Sequence, residues 1–279
     1  IWKFASGMML ISIVSALNTQ LDKVAISKLL SIENLGYYTL AISLSQVLVI
    51  LVNPIFTTLL PRFTAYYSAN KNGEAKKLFV KSSLLVSIMI FSIMSVMIFF
   101  AKDLIWIWTG NSELASKTYL LIPITALAYG MFALQPLPYV IALSNGYTKL
   151  NNLLGVTSLI ITIPGYYFAT EHYGAIGAAG VFCIVQILST MIFMYFINKK
   201  FIKSDILKDV YWKQIILPLF ITIALAFLFS EIPILLDNSR LFSLFWIGLI
   251  TFAILLLTLL ILIPFMEIKS WITINRAKN

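Results

Sequence analysis

The chain has 279 residues, of which 60% are hydrophobic and 11% are charged, and its mean hydropathy is +0.94. A soluble domain carries about 25% charged residues, so this composition excludes a soluble globular fold. The net charge of +9 does not indicate nucleic-acid binding, because the basic residues lie in short clusters beside apolar segments, where lipid headgroups are the nearest anionic partners.

Eight apolar segments follow one another along the chain, and a helix of about 20 apolar residues crosses a bilayer. They are Trp2 to Leu17, Gly36 to Leu60, Ser82 to Ala101, Tyr119 to Leu143, Leu153 to Ala169, Ala175 to Ile197, Tyr211 to Phe229 and Leu241 to Phe265. The sequence therefore predicts an all-α, polytopic membrane helix bundle with about eight transmembrane helices. The first helical pattern continues to Leu30, which places Asp22 and Lys23 inside the membrane near its outer surface.

Basic residues concentrate in every second gap between these segments. The chain start, the second, fourth and sixth gaps and the tail hold fifteen of the twenty lysines and arginines: Lys3, Arg62, Lys71, Lys76, Lys77, Lys81, Lys149, Lys199, Lys200, Lys203, Lys208, Lys213, Lys269, Arg276 and Lys278. Because basic loops remain on the cytoplasmic side, we expect both ends of this chain to face the cytoplasm. A span begins directly after Ile1, so we interpret the chain as a fragment that lacks an even number of preceding spans.

Polar side chains form a stripe on each of the first two predicted helices. The first stripe consists of Ser12, Ser15, Thr19 and Asp22, and the second of Thr39, Ser43, Gln46, Asn53 and Thr57. Such spacing puts each set on one helix face, either packed against neighbouring helices or bordering a wet cavity. Gln46 and Asn53 favour the cavity, because an amide has more hydrogen-bonding groups to satisfy than a hydroxyl.

Prolines interrupt several spans, each removing a backbone donor and bending the helix. They are Pro54, Pro123, Pro136, Pro138, Pro164 and Pro218. The cluster of Gln135, Pro136 and Pro138 is the best candidate for a hinge, since transporters use such breaks around substrate paths.

Several short motifs resemble the second half of the polysaccharide transporters, the O-antigen flippases of the multidrug, oligosaccharidyl-lipid and polysaccharide exporter superfamily. They are Asp22-Lys23, KLLSIENLGYY from Lys28 to Tyr38, Leu40-Ala41, Pro61-Arg62-Phe63, SNGYTK from Ser144 to Lys149 and YGAIGAA from Tyr173 to Ala179. The resemblance covers about Ile1 to Lys200, and the last two spans resemble the family only in hydropathy.

The resemblance implies a six-helix lobe over residues 1–200, the second of two, followed by two additional transmembrane helices and a cytoplasmic tail over 201–279. It implies a flippase that moves a polyprenyl-pyrophosphate-linked oligosaccharide to the outer leaflet of the bacterial cytoplasmic membrane during surface polysaccharide biosynthesis. Its partners would be this lipid-linked substrate, membrane lipids and a coupling ion, H⁺ or Na⁺, with no nucleic acid and no cofactor.

Eight residues are predicted to line the substrate cavity: Asn18, Asp22, Lys23, Gln46, Asn53, Arg62, Gln135 and Lys149. Gln46, Asn53 and Gln135 would bond sugar hydroxyls, while Lys23, Arg62 or Lys149 would attract the phosphates. The alternative role for Arg62 and Lys149 is ordinary contact with lipid headgroups at the membrane surface. Asp22 is a candidate site for the coupling ion, since an acid at membrane depth is a functional candidate.

Other functions remain open at this stage. A multidrug exporter and a lipid II flippase of the same superfamily fit the same hydropathy, as do a membrane-bound acyltransferase, a polymerase and a purely structural membrane subunit. Catalysis is not expected, because the sequence contains no nucleophile, phosphate-loop or metal-ligand motif. Cys183 is the single cysteine, and the single histidine, His172, falls in a short outer turn.

Overall fold

Every regular element in the described residues is helical, which confirms the predicted fold class. A computed structural model describes the backbone of residues 2–232 and 239–276, and the side chains of 6–232 and 239–262. The α-helices are α1 (Trp2–Asn18), α2 (Leu21–Leu29), α3 (Ile32–Ser45), α4 (Val47–Ser68), α5 (Asn72–Phe99), α6 (Ala101–Thr109), α7 (Ser112–Thr118), α8 (Leu121–Phe132), α9 (Pro136–Ser144), α10 (Lys149–Ile197), α11 (Leu217–Ser230) and α12 (Arg240–Arg276). Two π-helical segments, Asn198–Ile202 and Ile206–Ile216, connect α10 to α11.

Seven helical segments of the described chain are long and apolar enough to cross a membrane. They are Ser6–Leu29, Ile32–Ser68, Asn72–Phe99, Leu121–Ser144, Lys149–Ile202, Ile206–Ser230 and Arg240–Leu262. The eight predicted spans overlap these seven segments, because the fifth and sixth both lie in Lys149–Ile202. Lys278 and the tail residues beyond Arg276 lie outside the described residues.

The segment from Lys149 to Ile202 is a hairpin of two helical arms that meet at Gly174. Gly174 has φ 62° and ψ −150°, a region that essentially only glycine occupies. Across the turn, a Cβ on Gly165 would lie 3.1 Å from Val181 Cγ1, and a Cβ on Gly177 would clash with the carbonyl of Ala169. Each arm has more than 20 residues, or about 35 Å of helix, which is long enough to cross a bilayer. When the two arms are counted separately, the seven segments give the eight membrane crossings that the sequence predicts.

Helix α5 contains more buried residues than any other helix in the described part of the chain. It contacts α4, α8, α11 and α12. Small hydroxyl residues on its buried faces allow this close approach: Ser82, Ser83, Ser87, Ser92 and Ser95. Gly130 of α8 also lies directly against Met94, where a Cβ would come within 2.5 Å of Sδ. The bundle is therefore built around α5.

The last two helices, α11 and α12, contact the rest of the bundle through specific side-chain interactions. The guanidinium of Arg240, at the start of α12, donates to the carbonyls of Ile107 at 2.9 and 2.7 Å and Trp108 at 3.0 Å, at the end of α6. Phe227 of α11 packs on Phe99 of α5 with ring centroids 5.9 Å apart. The predicted division at residue 200 falls inside a π-helical segment, and it stays a prediction that residues 201–279 form a separate unit.

The loops gather at two ends of the bundle, as their alternation predicts. At one end, here called the basic end, the turns at 69–71, 145–148 and 203–205 meet, and Lys76 Nζ donates to the Lys203 carbonyl at 3.3 Å. At the opposite end, Lys117 of α7 pairs with Glu33 of α3 at 3.2 Å and with Glu113 at 3.0 Å. Hydrogen bonds to Glu113, Tyr37 and Glu33 raise the pKa of Lys117 above its ordinary value.

Candidate functional site

A cavity of about 520 Å³ opens between α1–α2, α3–α4, α8–α9 and both arms of α10. Its polar lining consists of Ser15, Asn18, Thr19, Asp22, Gln46, Asn53, Tyr129, Gln135, Tyr139, Asn151, Ser158, Gln186 and Ser189. Its apolar lining includes four phenylalanines: Phe56, Phe132, Phe182 and Phe193. The cavity is therefore large enough for a small organic group and is lined by hydrogen-bonding and aromatic side chains.

Three helices are interrupted where they border this cavity. The breaks separate α1 from α2, α3 from α4 and α8 from α9, and each contains a cavity-lining residue, namely Thr19, Gln46 and Gln135. Irregular backbone at membrane depth is tolerated where it is buried in protein or lines a water-filled cavity. The three interruptions therefore share the cavity as their border.

Side chains of the second arm of α10 form hydrogen bonds at the break before Pro136. Pro136 has no N–H for the Phe132 carbonyl, which instead accepts from the backbone of Gln135 at 3.0 Å. The Thr190 hydroxyl donates to the Met131 carbonyl at 3.0 Å, and Gln135 Nε2 donates to Thr190 Oγ1 at 2.9 Å. The predicted hinge thus coincides with a real helix interruption, bridged by side chains from another helix.

Asp22 is the one ionisable acid or base that lines the cavity among the described residues. Its side chain is only 4% exposed. Oδ2 accepts from the Tyr38 hydroxyl at 2.8 Å, and Oδ1 accepts from the backbone N–H of Lys23 at 2.8 Å. Helix α2 carries Asp22 as the continued helical pattern predicts, so this acid lies within a membrane-spanning segment.

Five of the eight predicted site residues line the cavity: Asn18, Asp22, Gln46, Asn53 and Gln135. Gln46 Nε2 donates to the Tyr129 hydroxyl at 3.2 Å. Asn18 joins α1 to the first arm of α10, because its Nδ2 donates to the Gly155 carbonyl at 3.3 Å and its Oδ1 accepts from Ser158. Whether any of the five binds substrate stays a prediction.

The structure places the other three predicted residues, Lys23, Arg62 and Lys149, outside the cavity lining. Neighbouring residues on a helix point in different directions, so Lys23 does not share the direction of Asp22. Arg62 and Lys149 are exposed near the basic end, the former late in α4 and the latter at the start of α10. These three residues are not part of the cavity lining, and whether they contact the phosphates of a substrate stays a prediction.

The polar stripes are only partly directed at the cavity. Ser15, Thr19 and Asp22 line it, as do Gln46 and Asn53. The remaining stripe residues do not line it, and their hydroxyls bond to backbone carbonyls of their own helices: Ser12, Thr39, Ser43 and Thr57. A hydroxyl can satisfy itself locally in this way, whereas an amide cannot do so fully.

Sequence reasoning missed the cavity residues contributed by α8, α9 and α10. These are Tyr129, Tyr139, Asn151, Ser158, Gln186 and Ser189. Gln186 could have been found, because it is a lone amide within an apolar span, like Gln46. Its Oε1 accepts from Gln135 Nε2 at 3.2 Å.

Two amide side chains of the cavity lining make no hydrogen bond within the described part of the chain. Asn53 and Asn151 line the cavity, and neither side chain has a hydrogen-bond partner among the described residues. Phe56 and Tyr139 stack with ring centroids 5.9 Å apart, exposing aromatic surface beside them. No group of His, Cys, Asp and Glu in the described chain is arranged to hold a metal ion. The cavity can therefore offer neutral hydrogen bonds and ring surfaces to a ligand.

The all-α architecture, with seven segments able to cross a membrane, defines a polytopic membrane protein. Residues 1–117 match the model of a family described as polysaccharide biosynthesis protein. This match runs from α1 into α7 and confirms the resemblance to the polysaccharide transporters over that part of the chain, and it supports a role in polysaccharide biosynthesis. No curated protein and no solved structure matches the chain.

Proposed function

We propose that this chain belongs to a flippase that moves a polyprenyl-pyrophosphate-linked oligosaccharide across a bacterial cytoplasmic membrane. The observation that carries the proposal is the cavity at the three helix breaks, with its uncharged amides and hydroxyls. Moving a sugar through ~30 Å of hydrocarbon requires replacement of the hydrogen bonds that it makes to water. Such a lining provides that replacement, and it requires no covalent chemistry from the protein.

The amides that retain unused hydrogen-bonding groups are the proposed contacts for the sugar. Within the described part of the chain, Asn53 and Asn151 make no side-chain hydrogen bond and Gln46 uses only its Nε2 group. An amide both donates and accepts, so it can bond hydroxyls of many different sugars. The aromatic rings beside these amides supply apolar surface for the faces of sugar rings.

Asp22 is the proposed site of coupling to H⁺ or Na⁺. A carboxylate at membrane depth is costly and marks a functional position by default. Its partners are the Tyr38 hydroxyl and a backbone N–H, and no basic side chain forms an ion pair with it among the described residues. A proton or a sodium ion would supply the missing positive charge.

The first test replaces the amides of α3–α4 in the full-length protein, in a strain whose surface polysaccharide depends on it. Gln46→Leu or Asn53→Leu should reduce export of lipid-linked sugar about fivefold, because each removes roughly one hydrogen bond of about 1 kcal/mol to the substrate. Surface polysaccharide and the inner-leaflet pool of lipid-linked oligosaccharide are measured together, with membrane protein levels as the reference.

Ser43→Ala and Thr57→Val are the matched controls, because these residues lie on the same two helices but outside the cavity. Both controls should export normally. Unchanged polysaccharide in the Gln46 and Asn53 variants would show that these amides serve packing alone, and the flippase proposal would lose its structural support.

A multidrug exporter is the second candidate function, and one observation favours it. An aromatic cavity with a single carboxylate, Asp22, also suits organic cations, which are attracted to ring faces and to negative charge. Drug resistance that falls with Asp22→Asn in a strain with unaltered polysaccharide would support this candidate. An arrest of cell-wall growth on deletion would instead support a lipid II flippase.

A further inference from the structure

A second pocket, of about 310 Å³, lies at the basic end of the bundle. It is formed by the end of α4, the start of α5, the turn after α9 and the π-helical segment after α10. We call it the basic pocket and define it by Lys76, Lys200, Lys203, Asn72, Gly73 and Asn145. It shares no lining residue with the cavity at the helix breaks.

The three lysines of the basic pocket have no acidic partner. Within the described residues, no carboxylate lies within 4 Å of the Nζ of Lys76, Lys200 or Lys203. Lys76 Nζ instead donates to the Lys203 carbonyl at 3.3 Å. By contrast, Lys117 at the opposite end pairs with two glutamates. Positive charge in the pocket is therefore left uncompensated by the protein.

The start of α5 adds backbone donors to this charge. No side chain caps the helix at Lys71, and its first residues, Asn72 and Gly73, line the pocket. The first N–H groups of an α-helix have no partner within the helix, and the helix dipole favours an anion at this end. The lysines and the helix start thus present donors to the same space, the arrangement with which proteins bind phosphate groups.

Contacts within the protein order the Lys200 ammonium group and the backbone turn at Lys203. Lys200 Nζ lies 3.4 Å from the ring centroid of Tyr147, a cation–π contact. Lys203 adopts a left-handed conformation with φ 53° in the turn that follows. The buried Asn198 fixes this turn, because its Nδ2 donates to the Ser204 carbonyl at 2.8 Å and its Oδ1 accepts from Ser204 Oγ at 2.6 Å.

We propose that the basic pocket binds the phosphate-bearing headgroup of an anionic membrane lipid. The pocket lies at the end of four membrane-spanning segments, where headgroups are the most abundant phosphates, and basic pockets between such helices recognise them. Phosphate oxygens would accept from the lysines and from the N–H groups at the start of α5. This inference does not depend on the transport proposal, since it concerns binding at a different pocket.

The test measures binding of phosphatidic acid and of phosphatidylcholine to the purified full chain in detergent by native mass spectrometry. Phosphatidic acid should bind preferentially, and the double variant Lys76→Gln/Lys200→Gln should weaken it about thirtyfold. The expectation follows because each lysine near an anionic headgroup contributes about a factor of five. The single variant Lys200→Gln, at an exposed position, should weaken binding about fivefold and serves if the double variant unfolds.

The control is Lys77→Gln/Lys81→Gln, which removes the same number of charges from α5, the helix of Lys76, at positions outside the pocket. It should retain binding to within about threefold. Equal weakening in both double variants, or equal binding of the two lipids, would overturn the proposal. Binding of inorganic diphosphate that depends on Lys76 and Lys200, without preference for phosphatidic acid, would assign the pocket to a soluble ion and overturn the lipid assignment.

Discussion

At the residue scale, Asp22 connects the sequence pattern to the site most directly. Its spacing from Ser15 and Thr19 predicts a place on the inner face of the first membrane segment, and the structure confirms that place. Its partner could not be predicted, because Tyr38 lies 16 residues away on another helix and carries no distinguishing local pattern. Sequence periodicity thus gives the direction of a side chain, whereas its contacts depend on how the helices pack.

Replacement of Asp22 tests its proposed coupling role. Asp22→Asn should reduce transport about tenfold or more and remove its dependence on an ion gradient, because the amide cannot change charge. The measurement is uptake or flipping in reconstituted vesicles with imposed H⁺ or Na⁺ gradients. Asp103→Asn is the control, since this acid lies in α6 outside the membrane-spanning segments and outside the cavity. Gradient-dependent transport by Asp22→Asn would exclude Asp22 as the coupling site.

Lys23, Arg62 and Lys149 show what the distribution of basic residues along the chain can and cannot predict. The distribution of basic residues among loops predicts which end of a helix they occupy, and Arg62 and Lys149 do lie near the basic end. It does not predict whether a side chain turns toward a cavity. The lysines that do line a pocket, Lys76, Lys200 and Lys203, are indistinguishable from their neighbours in the sequence.

At the element scale, the helix interruptions differ in how visible they are in the sequence. The break before Pro136 is predictable, because proline removes a backbone donor. The break at Gln46 has no proline or glycine beside it and follows from packing around the cavity. The turn at Gly174 is predictable as an outer loop, although its two arms pack so closely that a Cβ at Gly177 would clash with the Ala169 carbonyl.

Substitution of Gly174 tests the backbone argument for this turn. Gly174→Ala should lower the free energy of unfolding by about 1–3 kcal/mol, because φ 62° with ψ −150° is strained for any residue with a Cβ. Thermal unfolding in detergent measures the change.

Gly180→Ala is the matched control on the second arm, where a Cβ would meet no atom within 4 Å. It should be neutral or slightly stabilising, since alanine favours a helix over glycine. An equal loss of stability in both variants would show that the conformation of Gly174 is not the cause.

At the scale of the whole molecule, the all-α class and the eight crossings follow from hydropathy and segment length. The alternation of basic gaps predicts that the turns at 69–71, 145–148 and 203–205 share one end, and their contacts agree. The central role of α5 could not be predicted, because its sequence is as apolar as that of helices facing lipid. The serines along α5 were the sequence feature that could have indicated this role. Their meaning depends on which helices pack against α5.

The orientation of the bundle is testable with single cysteines in a Cys183→Ala background. Ala69→Cys lies at the basic end and Ser116→Cys at the opposite end, and both positions are exposed. A membrane-impermeant maleimide applied to intact cells should label Ser116→Cys alone, because basic loops stay in the cytoplasm. Permeabilised cells should label both. Labelling of Ala69→Cys in intact cells would reverse the proposed orientation.

The contacts among Gln135, Thr190 and the Met131 carbonyl have a mechanical consequence. A helix bent by proline alone is bent permanently, but here another helix grips the bend through side-chain hydrogen bonds. Such bonds contribute about 1 kcal/mol each, so these contacts add modestly to the stability of the bend. A ligand that bonded to the Gln135 amide would compete with Thr190 for it and would weaken the contact between the α8–α9 break and the second arm of α10.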